Sequence, residues 1–425
     1  MKIDPVKGTR DFYPNVMALR NYIVDGWKSA SLRNGFEEYD GPIFEYLKMY
    51  QVKSGDEIVE QLFNFTDRGG RHLAIRPEIT PTLARMVNQQ VNSLPKPIKW
   101  FSAPRLCRAE RPQKGRLREF FQWNIDIIGS DEITADAEVI FTAIDYLKST
   151  GLTEKDIVVK ISSRRMLAAL LEAIGIPKAD FDKVYAVLDK KAKLPDDAFK
   201  KMIDEVIPDH DKRDKTLSLM SVQTIDDIRC VTELHDDAVS AVDELNELFD
   251  ALKTMRVDQF CQFDIGIVRG LAYYTGPVFE IYDRAATLRA VGGGGRYDNL
   301  LKDFGGPSVP ATGFGMGDCV LGILLEEKGL LDANLPTKQV EYFVAYTDDQ
   351  FKLKALELTA KLRTSGTNTD LAYSSMSIKK ALKQALAANA AKLLILAQEY
   401  TDNQELIIKD LHTQTQTTIP ESELV

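Results

Sequence analysis

The spacing of apolar and polar residues predicts alternating strands and helices over the first 165 residues. Residues 21–36 repeat apolar side chains at helical intervals and stop at a glycine. Residues 71–87 have the pattern of a strand, a turn and a helix. Residues 98–110 and 118–129 are both predicted as strands. The stretch between these two strands is therefore predicted to be a long hairpin loop.

The pattern becomes helical between about residues 170 and 253. Residues 181–207 and 236–255 carry charged, helically spaced sequence without glycine-rich turns. Strand patterns return at 259–283 and 288–301, where tyrosines and glycines accumulate. A helical insertion within a sheet-based domain, which as a whole covers residues 1–330, accounts for this order.

A second domain is predicted at the C-terminal end. Residues 331–338 are interpreted as a linker, and strands alternate with helices from 339 to 425. This alternation over a short segment is typical of a small α/β domain.

Composition restricts the classes of protein that fit. The 425 residues are 44% hydrophobic and 28% charged, as in globular proteins, and no apolar run approaches the length of a membrane span. The N-terminus lacks a signal-peptide pattern, and Cys107, Cys230, Cys261 and Cys319 lie far apart. These features predict a cytoplasmic protein with reduced cysteines. The net charge of −9 argues against a protein that coats nucleic acid, but it permits a local basic site.

Such a basic site is predicted in the hairpin loop, where RAERPQKGRLREFFQ spans residues 108–122. Pro112 and Gly115 indicate a turn, and only two acids, Glu110 and Glu119, accompany the cations. Guanidinium groups pair in a bidentate manner with phosphate oxygens, so the loop is a candidate polyphosphate site. Glu110 could share a metal ion or orient a base. The five cations are Arg108, Arg111, Lys114, Arg116 and Arg118.

Three glycine-rich or tyrosine-rich stretches are further site candidates. They are RGLAYYTGPVFE at 269–280, AVGGGGRYDNL at 290–300 and ATGFGMGDCVLGILL at 311–325. Glycines allow a ligand to approach the backbone closely, but they also mark ordinary turns and tight packing. Tyrosines in such stretches also usually serve only to pack the protein core. No Gly-Lys-Ser/Thr follows the glycines, so the pattern is not a P-loop.

Taken together, these segments resemble histidyl-tRNA synthetases, a family of class II aminoacyl-tRNA synthetases. GTRDFYP at 8–14 and GFEEYDGPIFE at 35–45 resemble the family's opening and its first class II motif. The basic hairpin resembles the second motif, and RGLAYYTGPVFE and GGGGRYD resemble two signatures of histidine enzymes. The resemblance implies a catalytic core on an antiparallel sheet with a helical insertion, and a C-terminal α/β anticodon-binding domain. It also implies a homodimer whose substrates are L-histidine, ATP with Mg²⁺, and tRNA(His).

The resemblance also implies roles for individual residues. Arg108 and Arg269 contact the α-phosphate of ATP from two sides, and Glu110 lies near the adenine. The histidine carboxylate is already ionised, so the attack on phosphorus needs alignment and charge stabilisation rather than a general base. No protein cage for a metal is expected, because Mg²⁺ arrives with ATP. Histidine is bound by Glu78, Thr80 and Gln122 at the α-amino group, by Asp126 and Tyr274 at the ring nitrogens, and by Arg269, Tyr273 and Tyr297 around them.

Two positions depart from the family pattern. Ala272 stands where many members carry an acid, and Val320 stands where the third class II motif usually has an arginine for the γ-phosphate. We expect Mg²⁺ and the hairpin residues Arg116 and Arg118 to offset the missing cation. The departures keep open an inert paralogue, such as a regulatory subunit of histidine biosynthesis. A synthetase for proline, threonine or glycine is disfavoured by the two histidine-type signatures.

Overall fold

The computed structural model describes residues 3–54, 62–188, 190–191, 194–228, 234–268, 273–331, 335 and 340–424. Arg269 and Ala272 lie outside these residues, as does Cys230. The chain divides into two compact units, Met1–Leu335 and Pro336–Val425. In the described part of the chain, no helix combines the length and the apolar character needed to cross a membrane.

The first unit contains twelve strands and eleven α-helices among its described residues. The strands are β1 (Glu37–Glu38), β2 (Phe44–Tyr46), β3 (Asn64–Thr66), β4 (His72–Ile75), β5 (Ile98–Ser102), β6 (Arg105–Cys107), β7 (Glu119–Ile128), β8 (Ile157–Ser163), β9 (Cys261–Phe263), β10 (Pro277–Asp283), β11 (Gly292–Arg296) and β12 (Ala311–Gly317). The helices are α1 (Pro14–Arg33), α2 (Leu47–Ser54), α3 (Thr80–Gln90), α4 (Ile133–Ser149), α5 (Arg164–Ile174), α6 (Phe181–Leu188), α7 (Asp196–Val206), α8 (His210–Leu219), α9 (Asp236–Thr254), α10 (Leu300–Asp303) and α11 (Asp318–Glu327).

The central sheet is antiparallel through its middle and parallel at both ends. Its strand order is β1-β5-β7-β12-β11-β10-β8-β9, and β6 also pairs with β7. The edge strands β1 and β9 run parallel to β5 and β8, whereas the neighbours from β5 to β8 are antiparallel. The predicted antiparallel sheet is therefore confirmed for its centre, with a mixed sheet overall. A small separate sheet has the order β2-β4-β3.

Strand β7 places the core on one side of the sheet and polar side chains on the other. Side chains alternate between the two faces of a strand. Trp123, Ile125 and Ile127 join the main hydrophobic core, where Trp123 stacks on Trp27 of α1 with ring centroids 6.2 Å apart. The intervening Gln122, Asn124 and Asp126 face away from this core and are available for a site.

The described chain between β8 and β9 is helical, which confirms the predicted helical insertion as part of the fold. Helices α5 to α9 lie there, and α9 packs against α4 and α5. Buried leucines of α9, Leu245, Leu248 and Leu252, belong to the same core as the sheet. The insertion is thereby joined to the central sheet by apolar packing.

The second unit is a small α/β domain, as predicted. Its sheet has the order β14-β13-β15-β16-β17, with the first three strands parallel and the last two pairings antiparallel. Separate apolar clusters cover the two faces. Its elements are β13 (Val340–Tyr346), α12 (Lys352–Thr364), β14 (Thr369–Leu371), α13 (Ile378–Ala387), β15 (Ala390–Leu396), α14 (Gln398–Asn403), β16 (Glu405–Asp410) and β17 (Gln416–Pro420).

Candidate active site

The floor of the site is a strip of glycines on β11 and β12 beside the polar face of β7. Gly313 pairs in register with Asp126, and Gly315 pairs with Asn124. A Cβ atom at Gly313 would overlap Oδ1 of Asp126, and one at Gly315 would come within 2.7 Å of Nε2 of Gln122. The glycines are therefore required because the neighbouring polar side chains lie flat across the sheet surface.

Asp126 is buried, and three tyrosines line the same cavity. The hydroxyl of Tyr297 donates to Oδ1 of Asp126 in a short hydrogen bond. Burial, reinforced by the Asp126 charge, raises the pKa of Tyr297 well above its ordinary value, so the hydroxyl keeps its proton and remains a donor. The ring of Tyr273 lies 4.6 Å from that of Tyr274 and 5.9 Å from that of Tyr297, centroid to centroid. The cluster gives the carboxylate a fixed position with aromatic walls around it.

These groups line a cavity of about 360 Å³. Glu78 and Thr80 enter it from the connection between β4 and the start of α3. Its volume and polar lining suit a small, charged molecule with several hydrogen-bonding groups. The lining residues are Pro77, Glu78, Thr80, Arg108, Glu110, Arg116, Gln122, Asn124, Asp126, Tyr273, Tyr274, Gly293, Tyr297, Gly313, Phe314 and Gly315.

The basic hairpin closes one side of this cavity. Its base is held by the amide of Arg108, which donates to the carbonyl of Arg118 over 2.8 Å. Its tip turns where Gln113 and Arg116 exchange backbone hydrogen bonds of 2.9 Å, and Gly115 has a φ of +74°. That left-handed conformation favours glycine, which explains the residue type at the turn.

Arg108 and Arg116 have different environments on the hairpin. Nε of Arg108 donates to the carbonyl of Pro77 over 3.1 Å, and its guanidinium lies 5.0 Å above the ring of Phe120. Arg116 instead forms a short ion pair with Glu110. The charge of Arg116 is thus balanced within the protein, whereas Arg108 bonds to a neutral oxygen.

A second cavity of about 220 Å³ adjoins the first. Its described lining contains three arginines, Arg108, Arg116 and Arg289, and no carboxylate. Both cavities share walls at Arg108, Arg116, Gln122, Gly293 and Gly315. The other residues around the second cavity are Gly115, Leu117, Phe120, Ala290, Val291, Gly292, Gly317, Cys319 and Val320. The two cavities therefore form one cleft with a polar pocket and a cationic pocket.

The structure brings most of the predicted site residues together in this cleft. Arg118 is an exception, since Nε donates to the carbonyl of Glu110 at 3.1 Å and Nη1 to that of Lys7 at 3.4 Å. It lines neither cavity, because its backbone is drawn toward the N-terminal segment by a 2.8 Å hydrogen bond to Gly8. Arg269 lies outside the described residues. The predicted residues in the cleft are Glu78, Thr80, Arg108, Glu110, Arg116, Gln122, Asp126, Tyr273, Tyr274 and Tyr297.

Arg296, in the GGGGRYD segment, has a structural position. Its guanidinium forms a short buried ion pair with Asp136 of α4 and donates to the carbonyls of Ser130 and Glu132 at 3.0 and 3.1 Å. Burial raises the pKa of Asp136 to about 6, against the opposing effect of the Arg296 charge. Alternation along the strand sends Arg296 behind the sheet and Tyr297 into the site.

Two polar residues of the cleft, Asn124 and Arg289, are not predicted by the sequence patterns. Asn124 lies between Gln122 and Asp126 on the same face of β7, so the two-residue period of the strand would have found it. Arg289 is an exposed arginine in the connection between β10 and β11, outside any motif. Only the three-dimensional arrangement brings it to the second cavity.

No described group of three or more histidine, cysteine, aspartate and glutamate side chains is arranged to hold a metal ion. The cleft offers two kinds of binding surface. One is a polar pocket with buried hydrogen-bonding groups, and the other is a cationic pocket for an anion.

Comparison with known proteins agrees with this arrangement. The family model for histidyl-tRNA synthetase matches residues 8–317, and that for an anticodon binding domain matches residues 337–425. A chloroplastic/mitochondrial histidine–tRNA ligase of Arabidopsis thaliana is 39% identical over 99% of this chain and 86% of its own length. These matches and the cleft define a class II aminoacyl-tRNA synthetase.

Solved structures show the same fold. The histidyl-tRNA synthetase from Nostoc has a TM-score of 0.82 at 21% identity, covering 100% of this chain and 98% of its own. A Bacillus halodurans protein described as an ATP phosphoribosyltransferase regulatory subunit/histidyl-tRNA synthetase has a TM-score of 0.77 at 23% identity, covering 93% and 99%.

The chain belongs to the histidyl-tRNA synthetase family. Its function is the ATP-dependent activation of histidine and the transfer of histidine to tRNA. The regulatory-subunit alternative is not favoured, because the curated relatives matched over nearly the full length are histidine–tRNA ligases.

Proposed function

We propose that the first cavity binds histidine, that the second binds the phosphates of ATP, and that Arg108 contacts the α-phosphate between them. The proposal rests on the position of Arg108, which lines both cavities and has no described carboxylate to neutralise it. The reacting atoms, a carboxylate oxygen and the α-phosphorus, must meet at this boundary. A guanidinium there would stabilise the charge that builds up on the α-phosphoryl oxygens.

In the first step, the carboxylate of histidine forms a bond to the α-phosphorus while the bond to pyrophosphate breaks. The nucleophile is already ionised near neutral pH, so the protein's task is alignment and charge stabilisation. In the second step, a terminal ribose hydroxyl of tRNA attacks the adenylate carbonyl and AMP leaves. Glu110 and the flat ring of Phe120 are proposed to border the adenine. Arg269, outside the described residues, is proposed as the second α-phosphate ligand.

Selection of histidine is proposed to rest on a fixed hydrogen-bonding pair. Asp126, held by the Tyr297 hydroxyl, would accept a hydrogen bond from one ring nitrogen, and Tyr274 would hydrogen-bond to the other. Glu78, Thr80 and Gln122 would bind the α-ammonium group. A pocket of buried polar groups rejects amino acids that leave those groups unpaired, by factors of about 10⁴ or more.

Mg²⁺ is proposed to enter with ATP rather than to reside in the protein. Glu110 is a carboxylate on the wall of the first cavity, and an oxygen ligand of this kind suits Mg²⁺. When bound, the ion would lower the charge of the leaving pyrophosphate.

The two units are proposed to divide the work of the enzyme. Residues 1–330 would form the catalytic domain, with a helical insertion at about 170–253, and residues 331–338 a linker to the tRNA-binding domain at 339–425. The match of residues 337–425 to an anticodon binding domain supports this division.

The enzyme is proposed to work as a homodimer in the cytoplasm. Support for a dimer comes from an exposed apolar patch on the small sheet, where the rings of Phe44 and Phe65 lie 6.3 Å apart beside Ile43 and Tyr46. Large exposed apolar patches mark association surfaces. Support for a reducing compartment comes from the free thiols of Cys107, Cys261 and Cys319.

The decisive experiment is ATP–pyrophosphate exchange with each amino acid in turn, followed by charging of tRNA(His). We expect exchange with histidine alone. Exchange with another amino acid, or none with any, would contradict the proposed function.

A further inference from the structure

The first observation concerns Val320, at the start of α11. This side chain is buried, and a Cβ atom built on Gly115 would lie 3.0 Å from its Cγ2 atom. About two turns further along the helix, Nζ of Lys114 pairs with Oε1 of Glu327 over 3.2 Å. The hairpin tip therefore rests on α11 through an apolar contact and an ion pair. A longer charged side chain at position 320 would have to displace that tip.

The second observation concerns the charges around the cationic cavity. Glu110 neutralises Arg116, and Glu327 neutralises Lys114. Among the described residues, Arg289 has no ion pair, and its Nη1 donates to the amide oxygen of Gln113 over 3.2 Å. Arg108 likewise bonds to a neutral carbonyl. The unneutralised positive charge of this cavity thus comes from Arg108 at one wall and Arg289 at another.

We infer that Arg289 binds the β- and γ-phosphates of ATP and supplies the cation that Val320 does not. The inference rests on the proposed function of the second cavity. Arg289 and Val320 line the same cavity from different chain segments. The β10–β11 connection, rather than α11, therefore supplies the cation. A guanidinium group pairs with two phosphate oxygens at once, which suits a triphosphate end.

The Gln113 contact gives this arrangement a second property. It ties the guanidinium to the hairpin that carries Arg108 and Arg116, so three arginines converge on one cavity. Because Gln113 is neutral, it orients Arg289 without reducing the charge that is available to phosphate. The Gln113–Arg289 hydrogen bond orients the cation, and the apolar contact between the hairpin tip and Val320 positions the hairpin. Both contacts help to form one phosphate pocket.

The test is Arg289→Ala in the full chain, assayed by histidine-dependent pyrophosphate exchange. We expect the KM for ATP and the KM for pyrophosphate to rise about 10- to 100-fold, as loss of a charge-assisted hydrogen bond predicts. The KM for histidine should stay unchanged. Binding of a non-hydrolysable histidyl-adenylate analogue, which lacks the β- and γ-phosphates, should also stay unchanged. Arg289→Lys should show a smaller rise, because a point charge replaces the fork.

Two control variants separate phosphate binding from effects on the loops. Arg284 lies in the same β10–β11 connection, but its guanidinium donates to the carbonyl of Glu154. We therefore expect normal kinetics for Arg284→Ala. Gln113→Ala removes the tether and keeps the charge, so its effect on the KM for ATP should be smaller than that of Arg289→Ala.

Three results would overturn the inference. The first is a normal KM for ATP in Arg289→Ala, and the second is that Arg289→Ala weakens binding of the adenylate analogue as much as it weakens ATP binding. The third is that Gln113→Ala raises the KM for ATP as much as Arg289→Ala does. Absence of histidine-dependent exchange in the unmodified protein would instead contradict the proposed function, which keeps the two failures distinct.

Discussion

At the scale of single residues, two adjacent positions at the end of β11 serve opposite purposes. Arg296 and Tyr297 follow each other in sequence, yet the first forms an ion pair with α4 behind the sheet and the second bonds to Asp126 in the cleft. Strand geometry alone separates them, since successive side chains point to opposite faces. The two positions can therefore be tested independently, one by substrate binding and one by stability.

Removal of the Tyr297 hydroxyl should weaken histidine binding. Tyr297→Phe keeps the ring but loses the donor that holds Asp126. We expect the KM for histidine to rise about tenfold, which corresponds to the usual free-energy contribution of a hydrogen bond to a charged group. The KM for ATP should not change, because Tyr297 lines the first cavity only. Pyrophosphate exchange measures both constants. Equal increases in both would mean that Tyr297 supports the whole cleft rather than Asp126.

Removal of the Arg296 guanidinium should instead destabilise the first unit. Arg296→Ala leaves Asp136 buried without its cation, and breaking a buried pair costs about 3–5 kcal/mol of unfolding free energy. Tryptophan fluorescence during urea unfolding reports this unit, because Trp27, Trp100 and Trp123 all lie in it. Arg33→Ala is the matched control, since its pair with Asp145 is partly exposed and worth about 1 kcal/mol or less. Similar losses in the two variants would refute the structural role of the Arg296 pair.

At the scale of elements, the pairing of β12 with β7 decides where the amino acid can lie. The glycines of β12 sit opposite Asn124 and Asp126, and their missing side chains leave room for those groups to lie across the strand. The register matters because a shift by one residue would turn the polar side chains of β7 into the core.

Gly313→Ala tests that pairing. The added Cβ atom would overlap Oδ1 of Asp126 and the carbonyl oxygen of Ile125, so the side chain and the β7–β12 pairing must both shift. We expect histidine-dependent exchange to fall sharply through a raised KM for histidine. Gly322→Ala is the control, because its Cβ atom would meet only Cδ1 of Ile23, at 3.8 Å, and alanine favours the helix by about 0.5–1 kcal/mol. Normal histidine binding in Gly313→Ala would show that Asp126 can move without loss of recognition.

Element patterns in the sequence predicted much of this arrangement, with specific exceptions. The strand pattern at 118–129 corresponds to β7, but the pattern at 98–110 is divided at Ala103 and Pro104 into β5 and β6. The edge strands β1 and β9 are two and three residues long, too short for a periodic signal. Pairing partners and their parallel direction depend on tertiary packing, which local periodicity does not contain.

The candidate site shows the same limit at the level of side chains. Gln122 and Asp126 were predicted because they lie on one strand within a motif, and both line the first cavity. The direction of Arg118 depends on its contacts with Lys7 and Gly8, more than a hundred residues earlier. Arg289 reaches the cleft only because β11 pairs between β10 and β12. Such contacts join distant segments, so they cannot be read from spacing.

At the scale of the whole molecule, the net charge of −9 coexists with a cavity whose described charged side chains are all arginines. Overall acidity limits non-specific association with nucleic acid, so contacts with tRNA must come from local cationic surfaces. One such surface lies on the second unit, where Lys379, Lys380 and Lys383 of α13 are exposed and Tyr373, 87% exposed, precedes them. An exposed aromatic ring among lysines is suited to stack on an unpaired base.

The separation of the two units leads to a prediction for the whole molecule. Deletion of residues 336–425 should leave histidine-dependent pyrophosphate exchange intact, because the described walls of both cavities belong to the first unit. Charging of tRNA should weaken, through loss of the proposed tRNA-binding domain. Tryptophan fluorescence must first establish that the shortened chain is folded. Parallel loss of exchange and charging in a folded variant would mean that the second unit supports catalysis itself.

A substitution in the full chain gives the same test without deletion. Neutralising Lys379, Lys380 and Lys383 to glutamine should raise the KM for tRNA and lower the slope of log affinity against log salt by about one for each phosphate that the helix no longer neutralises. Neutralising the exposed cations Lys352, Lys361 and Arg363 of α12 is the matched control, with the same change in net charge. If α13 binds tRNA, only the first variant shows weaker affinity. Equal weakening would mean that the charge of the unit as a whole, rather than this helix, attracts tRNA.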